Sequence, residues 1–315
     1  MHNLDVIALG GNAILPAGKA GTIYEQFAIT RVTMRQIAVL VRSGRNVVLT
    51  HGNGPIVGNI MLRNEAVRDA IAPMPLGICV ADSQGGIGYM LQQVLRNALR
   101  AEGITREVVT LVTQVLVSPD DPALARPTKP IGPFYAPERA RELMNETGWE
   151  MVEDSQRGWR RVVASPRPLG IVEEGVVRRL LEAGVVVVTV GGGGIPVVAA
   201  DEKLDGVEAV VDKDYATAVL AVALEAERVI LVTDVDSVYR DYGSPAAARI
   251  PRMNADEAAR MAATLPPGSM GSKLEAAVDF VRRRGGAGVA VITRPEDLLL
   301  AAAGRAGTRI AGSGA

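Results

Sequence analysis

Short apolar runs rich in β-branched residues recur along the chain: DVIALGGN, RNVVLTHGNGP, EVVTLVTQVLV, VVVVTVGGGG, RVILVTDVD and AGVAVIT. Their hydrophobicity is continuous rather than alternating. That pattern belongs to strands buried on both faces, as in a mainly parallel sheet covered by helices. The intervening stretches supply the helices. In YEQFAITRVTMRQIAVLVRSG the apolar residues keep helical spacing and Gly44 is placed to stop the helix. EEGVVRRLLEAG and SKLEAAVDFVRRRGG follow the same plan, with arginines in the last turn at the negative end of the helix dipole. The fold class is α/β.

A chain of 315 residues, 48% hydrophobic, suggests about two domains with a sizeable core. A formal charge of -1 and a pI near 6.2 leave no basic footprint for nucleic acid, so small molecules are the expected partners. Cys79 is the one cysteine, which excludes an internal disulfide and suits a reducing compartment. MHNLDVIALGGN does not read as a signal peptide, and no run approaches the ~18 apolar residues of a membrane span. A cytoplasmic location is expected.

Residues 118–167 break the rhythm. SPDDPALARPTKPIGPFYAPERA carries six prolines, and GWEMVEDSQRGWRRVVASPRP holds both tryptophans. Proline removes donors and fixes φ, so interior sheet or a long helix is not expected. Tryptophans and the RRVV run argue against a disordered linker. The segment reads as an insertion projecting from the first domain.

Glycines follow the apolar runs at Gly10 and Gly11, Gly52 and Gly54, Gly85 and Gly86, and Gly191 to Gly194. In parallel α/β sheets ligands bind beyond the carboxyl ends of the strands, and bare backbone N–H groups at helix starts make anion-binding concavities there. One such pair is an ordinary tight turn. Four on one edge point to a phosphorylated ligand. ALGGNAIL lacks the GxGxxG spacing with a later acidic residue, and PPGSMGSKLEAA lacks GxxxxGK[ST], so neither common nucleotide motif applies.

Of 34 basic residues only five are lysines: Lys19, Lys129, Lys203, Lys213 and Lys273. A chain that otherwise uses arginine keeps lysine where a compact point charge matters. Lys213 sits in VVDKDYA between Asp212 and Asp214 at a helix start, where a capping aspartate beside a solvated lysine is the plain alternative. Lys129 is held between prolines in PTKPIGPF, and Lys273 follows Gly268 and Gly271. Phosphoryl transfer needs this kind of charge neutralisation and little covalent chemistry. Asp214 can fix the lysines or hold a nucleotide's magnesium. With only His2, His51 and Cys79 available, a metal site built on histidine or thiolate is not expected, and His51 reads as structural or orienting rather than as a general base.

Taken in order, ALGGNAIL, THGNGP, QGGIGY, VTQVLV, PTKPIGPFY, RGWRRVVASPRP, GGGGIPV, GVEAVVDKDYA, LVTDVD and GSMGSKLEAA resemble the carbamate kinases, a branch of the amino-acid kinase superfamily. The resemblance implies a three-layer sandwich with a mainly parallel central sheet and a protruding subdomain. It implies a carbamate or carbamoyl phosphate lobe in residues 1–200, the protruding subdomain at 118–167, and a nucleotide lobe in 201–315. Gly10, Gly11, Asn12, Gly52, Asn53, Gly54, Gln84 and Gly85 would hold the acceptor and the moving phosphoryl group. Lys129, Lys213 and Lys273 would neutralise the phosphates, with Asp214 orienting them. Gly191, Gly192, Gly193, Thr233, Asp234, Tyr239 and Met270 would serve the nucleotide. ATP or ADP would bring Mg2+, the protein itself holding no metal, and the working unit would be a homodimer. The implied reaction is ATP plus carbamate to ADP plus carbamoyl phosphate, run mainly toward ATP. Ser83 and Gly86 stand where that family's pattern has threonine and serine, and Gly271 and Ser272 where it has a bulky residue and proline. A kinase for another small acid and a non-catalytic nucleotide-binding homologue are the other readings.

Overall fold

The protein is described here by a computed structural model covering residues 3–14, 21–154, 158–265 and 269–312. An eight-stranded sheet runs in the order Arg252–Asn254, Thr308–Ala311, Val289–Thr293, Arg228–Val232, Leu4–Leu9, Asn46–His51, Val186–Val188 and Val108–Thr110. Every pairing in it is parallel except that of Thr308–Ala311 with Val289–Thr293.

Alternation along these strands divides the core in two. Val6, Ala8, Val48 and Leu231 face Ala216, Leu220, Leu274 and Phe280 of one helical layer, while Ile7, Leu9, Leu49 and Ile230 face Met34, Ile37, Met90 and Leu95 of the other. Each of the larger of these side chains contributes ~1.5–3 kcal/mol on burial. The expected three layers are present. Helix Ile23–Arg42 opens on a capping box between Thr22 and Glu25, and Gly44 takes the left-handed φ of +88° just past its end.

Asp5 interrupts the apolar strand Leu4–Leu9 and is fully buried. Arg45, just before the strand Asn46–His51, and Arg228, on the other flanking strand, satisfy it, with Arg228 Nε 3.0 Å from Oδ1 and Nη2 2.7 Å from Oδ2. The cluster pins register at the amino ends of the strands. At the carboxyl ends Leu9 lies opposite both His51 and Val232, and Val232 opposite Thr293. The turns at Gly10, Gly52 and Thr233 therefore emerge at one level.

Two expectations are corrected. EVVTLVTQVLV is not one strand: Val108–Thr110 ends the large sheet, while Gln114–Val117 joins a four-stranded sheet with Lys203–Gly206, Ile195–Ala200 and Pro168–Ile171. The buried amide of Gln84 takes both backbone groups of Thr113, donating to its carbonyl at 3.1 Å and accepting from its N–H at 2.7 Å, and so fixes the break. Gly85 and Gly86 are not at a strand end but lie inside helix Leu76–Ala101, exposed to solvent. Val80, Ile87, Met90, Leu91 and Val94 supply enough helical spacing to override them.

The proline-rich segment forms its own antiparallel sheet of Lys129–Tyr135, Trp159–Val163 and Met151–Glu153, backed by helix Pro137–Thr147. Pro130 and Pro133 fall on the edge strand, where a missing donor is tolerated, and Pro137 opens the helix. Gly132, at φ +73°, lies where that strand's register shifts. Among the described residues no helix is long and apolar enough to cross a membrane.

Candidate active site

Helix Lys213–Ala223 begins at the carboxyl edge of the sheet with Asp212 as its N-cap, the Asp212 side chain accepting from the N–H of Asp214 at 3.0 Å. The capping alternative is thus correct for Asp212, but Lys213 is not solvated. It lies beside Asp214, only 3% exposed, with Nζ 3.0 Å from Oδ1. From helix Ser269–Arg283 the Nζ of Lys273 donates to Asp214 Oδ2 at 2.9 Å. Lys129, on the projecting sheet, donates to Asp212 Oδ2 at 2.6 Å. Three distant stretches of sequence meet at two adjacent aspartates.

These groups line one cavity of about 250 Å³ with Gly52, Asn53, Gly54, Gly192, Arg160 and Ser272. Four cationic side chains, Lys129, Arg160, Lys213 and Lys273, line it with Asp212 and Asp214, and with Arg160 paired to Asp154 the three lysines still outnumber the two aspartates. The excess positive charge suits a phosphorylated ligand. Burial pushes the Lys213 ammonium below its ordinary range, with Asp214 opposing and Lys273 adding to the shift. Lys273 is also buried, but Asp214 holds it above the usual lysine value. Asp214 is depressed well below the carboxylate range because the Lys213 and Lys273 charges outweigh its burial. Although Lys213 Nζ and Asp214 Oδ1 are close, neither has an aligned hydrogen-bond partner among the described residues.

The glycine run is bare because protein packs against it. Val190 turns through φ +52°, and Gly192, Gly193 and Gly194 all have positive φ. A Cβ on Gly191 would strike His51 and Gln84, one on Gly192 the amide of Asn53, one on Gly193 the carbonyl of Val211, and one on Gly194 Val115. The turn is the knot at which the loops carrying Asn53 and Lys213 close on each other. Of the three glycines expected at the nucleotide, Gly192 lines the cavity while Gly191 and Gly193 are covered.

Asn53 donates to Ser83 Oγ at 2.8 Å, so the serine in place of threonine still supplies the hydroxyl. Gly10 lies so near Val232 that a Cβ would sit 2.8 Å from its carbonyl oxygen, and Gly52 similarly abuts Gly11. Asn12 lies in the short turn Gly11–Ala13, but its side chain is outside the described atoms, as are Gly268 and Lys19 entirely. Gln84 is buried on Thr113 rather than aimed at the cavity, and Gly85 points to solvent.

Thr233 and Asp234 follow the strand beside Gly10, and the Asp234 charge acts on Lys273. Tyr239 donates to Asp236 at 2.8 Å and packs against Tyr242 in a separate cavity of about 760 Å³ with Met253, Met261 and Leu265. Met270 packs on the core at the start of the Lys273 helix. His51 is fully buried, held by its Nδ1 on the Gly52 carbonyl at 3.1 Å, and burial lowers its pKa to about 4. It is neutral and structural in this setting. Sequence reading missed Arg160, which stacks over Phe134 and pairs with Asp154 at 3.0 Å, and it missed Asp212 as the partner of Lys129. RGWRRVV carried the first signal, but which of its arginines reaches the cavity depends on strand facing.

Residues 3–293 match the family described as Amino acid kinase family. The chain belongs to that family. It is 43% identical to the carbamate kinase of Pyrococcus horikoshii, over 97% of this chain and 98% of that protein. It is 44% identical to carbamate kinase 2 of Enterococcus faecalis, over 89% and 90%. The solved structure of Giardia lamblia carbamate kinase bound to AMP-PNP superposes with a TM-score of 0.91 at 39% identity, covering 99% of both chains.

Proposed function

We propose that this protein is a carbamate kinase, moving a phosphoryl group between ATP and carbamate and yielding ATP when carbamoyl phosphate is supplied. The observation that carries the reading is the buried Lys213–Asp214–Lys273 cluster facing Lys129 and Asp212 across one small cavity. Near-full-length identity to carbamate kinases supports the choice of acceptor.

In the proposed mechanism Lys213 and Lys273 neutralise the equatorial oxygens of the moving group, and Asp214 keeps both ammonium groups in place without itself reacting. Lys129 adds charge from the projecting sheet. Asn53, held by Ser83, and the backbone of Gly10, Gly11 and Gly52, joined by Asn12 and Gly54, bind the acceptor side. On the donor side Gly192, Thr233 and Asp234 lie toward the phosphates, with Tyr239 and Met270 toward the base. Residues 1–200 and 201–315 would then act as acceptor and nucleotide lobes, with 118–167 as the protruding subdomain.

Among the described residues no group of three or more His, Cys, Asp or Glu side chains is placed to hold a metal. The oxygens of Asp214 already face two lysines. A Mg2+ ion would therefore be held mainly by the nucleotide's own phosphates, supplying further charge neutralisation. We further propose a cytoplasmic homodimer. Exposed Val112, Leu169 and Val172, beside or on edge strands, support the dimer.

The test is ATP formation from ADP, Mg2+ and fresh carbamoyl phosphate, run beside ATP consumption with carbamate, acetylglutamate, glutamate and aspartate. Carbamoyl phosphate and carbamate should be the productive pair. Faster turnover of any other acid overturns the substrate assignment, and nucleotide binding with no transfer at all overturns the enzyme reading.

A further inference from the structure

A second cavity, about 310 Å³, lies between helix Gly54–Ala66, the connection into helix Leu76–Ala101, and the projecting sheet. Arg161 stands opposite Ile131 and two residues before Val163. Ile131 and Val163 pack inward with Val57, Met61 and Leu76, so strand alternation turns Arg161 to the same inward face. Its guanidinium lies 4.7 Å from the Trp149 ring centroid. Among the described residues it forms this stacking contact but no hydrogen bond or ion pair.

The guanidinium is half-buried, and its five donors in a rigid fork are left to solvent or to a ligand in the cavity. Burial pulls the Arg161 pKa down, against the neighbouring Glu208 and Glu65 charges. Across the cavity Glu208 accepts the Leu76 N–H at 3.0 Å through one oxygen. Its other oxygen accepts no hydrogen bond from the described residues. Glu65 and Arg68 already pair with each other at 3.2 Å. The uncommitted charges are thus one cation and one anion. Met61, Met74, Leu76 and the Trp149 indole give the wall an apolar side, next to the polar groups of Asn64 and Thr147.

We infer that this cavity binds a zwitterionic α-amino acid, its carboxylate on the Arg161 fork, its ammonium toward Glu208, and an apolar side chain against Trp149. A planar carboxylate matches the fork. A phosphate would satisfy Arg161 but bring excess negative charge against Glu208 and Glu65, whereas a zwitterion leaves every charge paired.

Calorimetric titration of the full-length protein without nucleotide tests this independently of any phosphoryl transfer. The probes are the standard L-amino acids, acetate, methylamine and inorganic phosphate. At least one apolar L-amino acid should saturate the protein, while acetate and methylamine alone should not. Arg161→Met and Glu208→Gln should each weaken that binding at least about tenfold, and Lys129→Met should leave it unchanged. Arg161→Lys, which keeps the charge but loses the fork, serves if the methionine variant misfolds, and should show the same loss. The proposal is overturned if no amino acid saturates by about 10 mM, if the Arg161 variants bind as the parent does, or if phosphate binds through Arg161 and displaces the amino acid.

Discussion

Asp214 carries two lysines that behave differently. Lys213, fully desolvated and repelled by Lys273, is the weaker base, and Lys273 is the more firmly held charge. Removing either leaves Asp214 with one partner and the transferring group with less compensation. We expect Lys213→Met and Lys273→Met each to cut kcat by about 10²–10³, the usual cost of losing one preorganised electrostatic donor. The double variant should fall by much less than the product of the two, because both lysines are held by one carboxylate and stabilise the same charge. Lys203→Ala, in the exposed strand Lys203–Gly206, should be neutral. A steady-state kinetic panel that ranks Lys203 with the others would break the assignment. The scarcity of lysine made these residues legible in the sequence. Their partners were less so: Asp212 reads as a helix cap whether or not Lys129 arrives, and Lys129 is 83 residues away in the chain.

Glycine has opposite meanings in two elements, and only the backbone distinguishes them. In the turn Gly191–Gly193 it admits neighbouring protein, while in helix Leu76–Ala101 Gly85 has open space where a Cβ would go. Gly192→Ala should therefore push Asn53 off its place, destabilise by about 1–3 kcal/mol through strain at positive φ, and lower turnover. Gly85→Ala should stabilise by about 0.5–1 kcal/mol as a mid-helix replacement, with unchanged KM for carbamoyl phosphate. Urea denaturation and kinetics on the two variants check both statements. A raised KM in Gly85→Ala would return that residue to the acceptor site. The strand ends after Leu9, His51 and Val232 were readable because apolar runs stop at glycine or a polar residue there. SQGGIG misled because its glycines hide a helical apolar stripe, and EVVTLVTQVLV because its break depends on Gln84, a residue remote in sequence.

At the scale of the molecule, the α/β class was legible from continuous apolar strands, but the antiparallel last pairing and the Asp5–Arg45–Arg228 cluster were not, since both depend on strand order. The packed centre has a consequence for stability against acid. His51 sits where the sheet, the glycine turn and helix Leu76–Ala101 meet, and its folded pKa of about 4 lies below the ordinary 6.5. Below pH 6.5 the unfolded chain takes a proton that the folded chain refuses, so stability falls with pH until about pH 4. From pH 7 to 4.5 this amounts to about 2 kcal/mol. Asp214 and Glu275, both held below their usual values of 3.8 and 4.5, begin to lose their contributions only near those values, so their window overlaps that of His51 only at its acid end. Replacing the imidazole by His51→Gln should lower stability at pH 7 but remove this slope, and urea midpoints taken between pH 7 and 4.5 would show the two proteins converging. Parallel profiles would mean that His51 is protonated in the folded protein, and the buried, neutral role assigned to it at the back of the active site would fail.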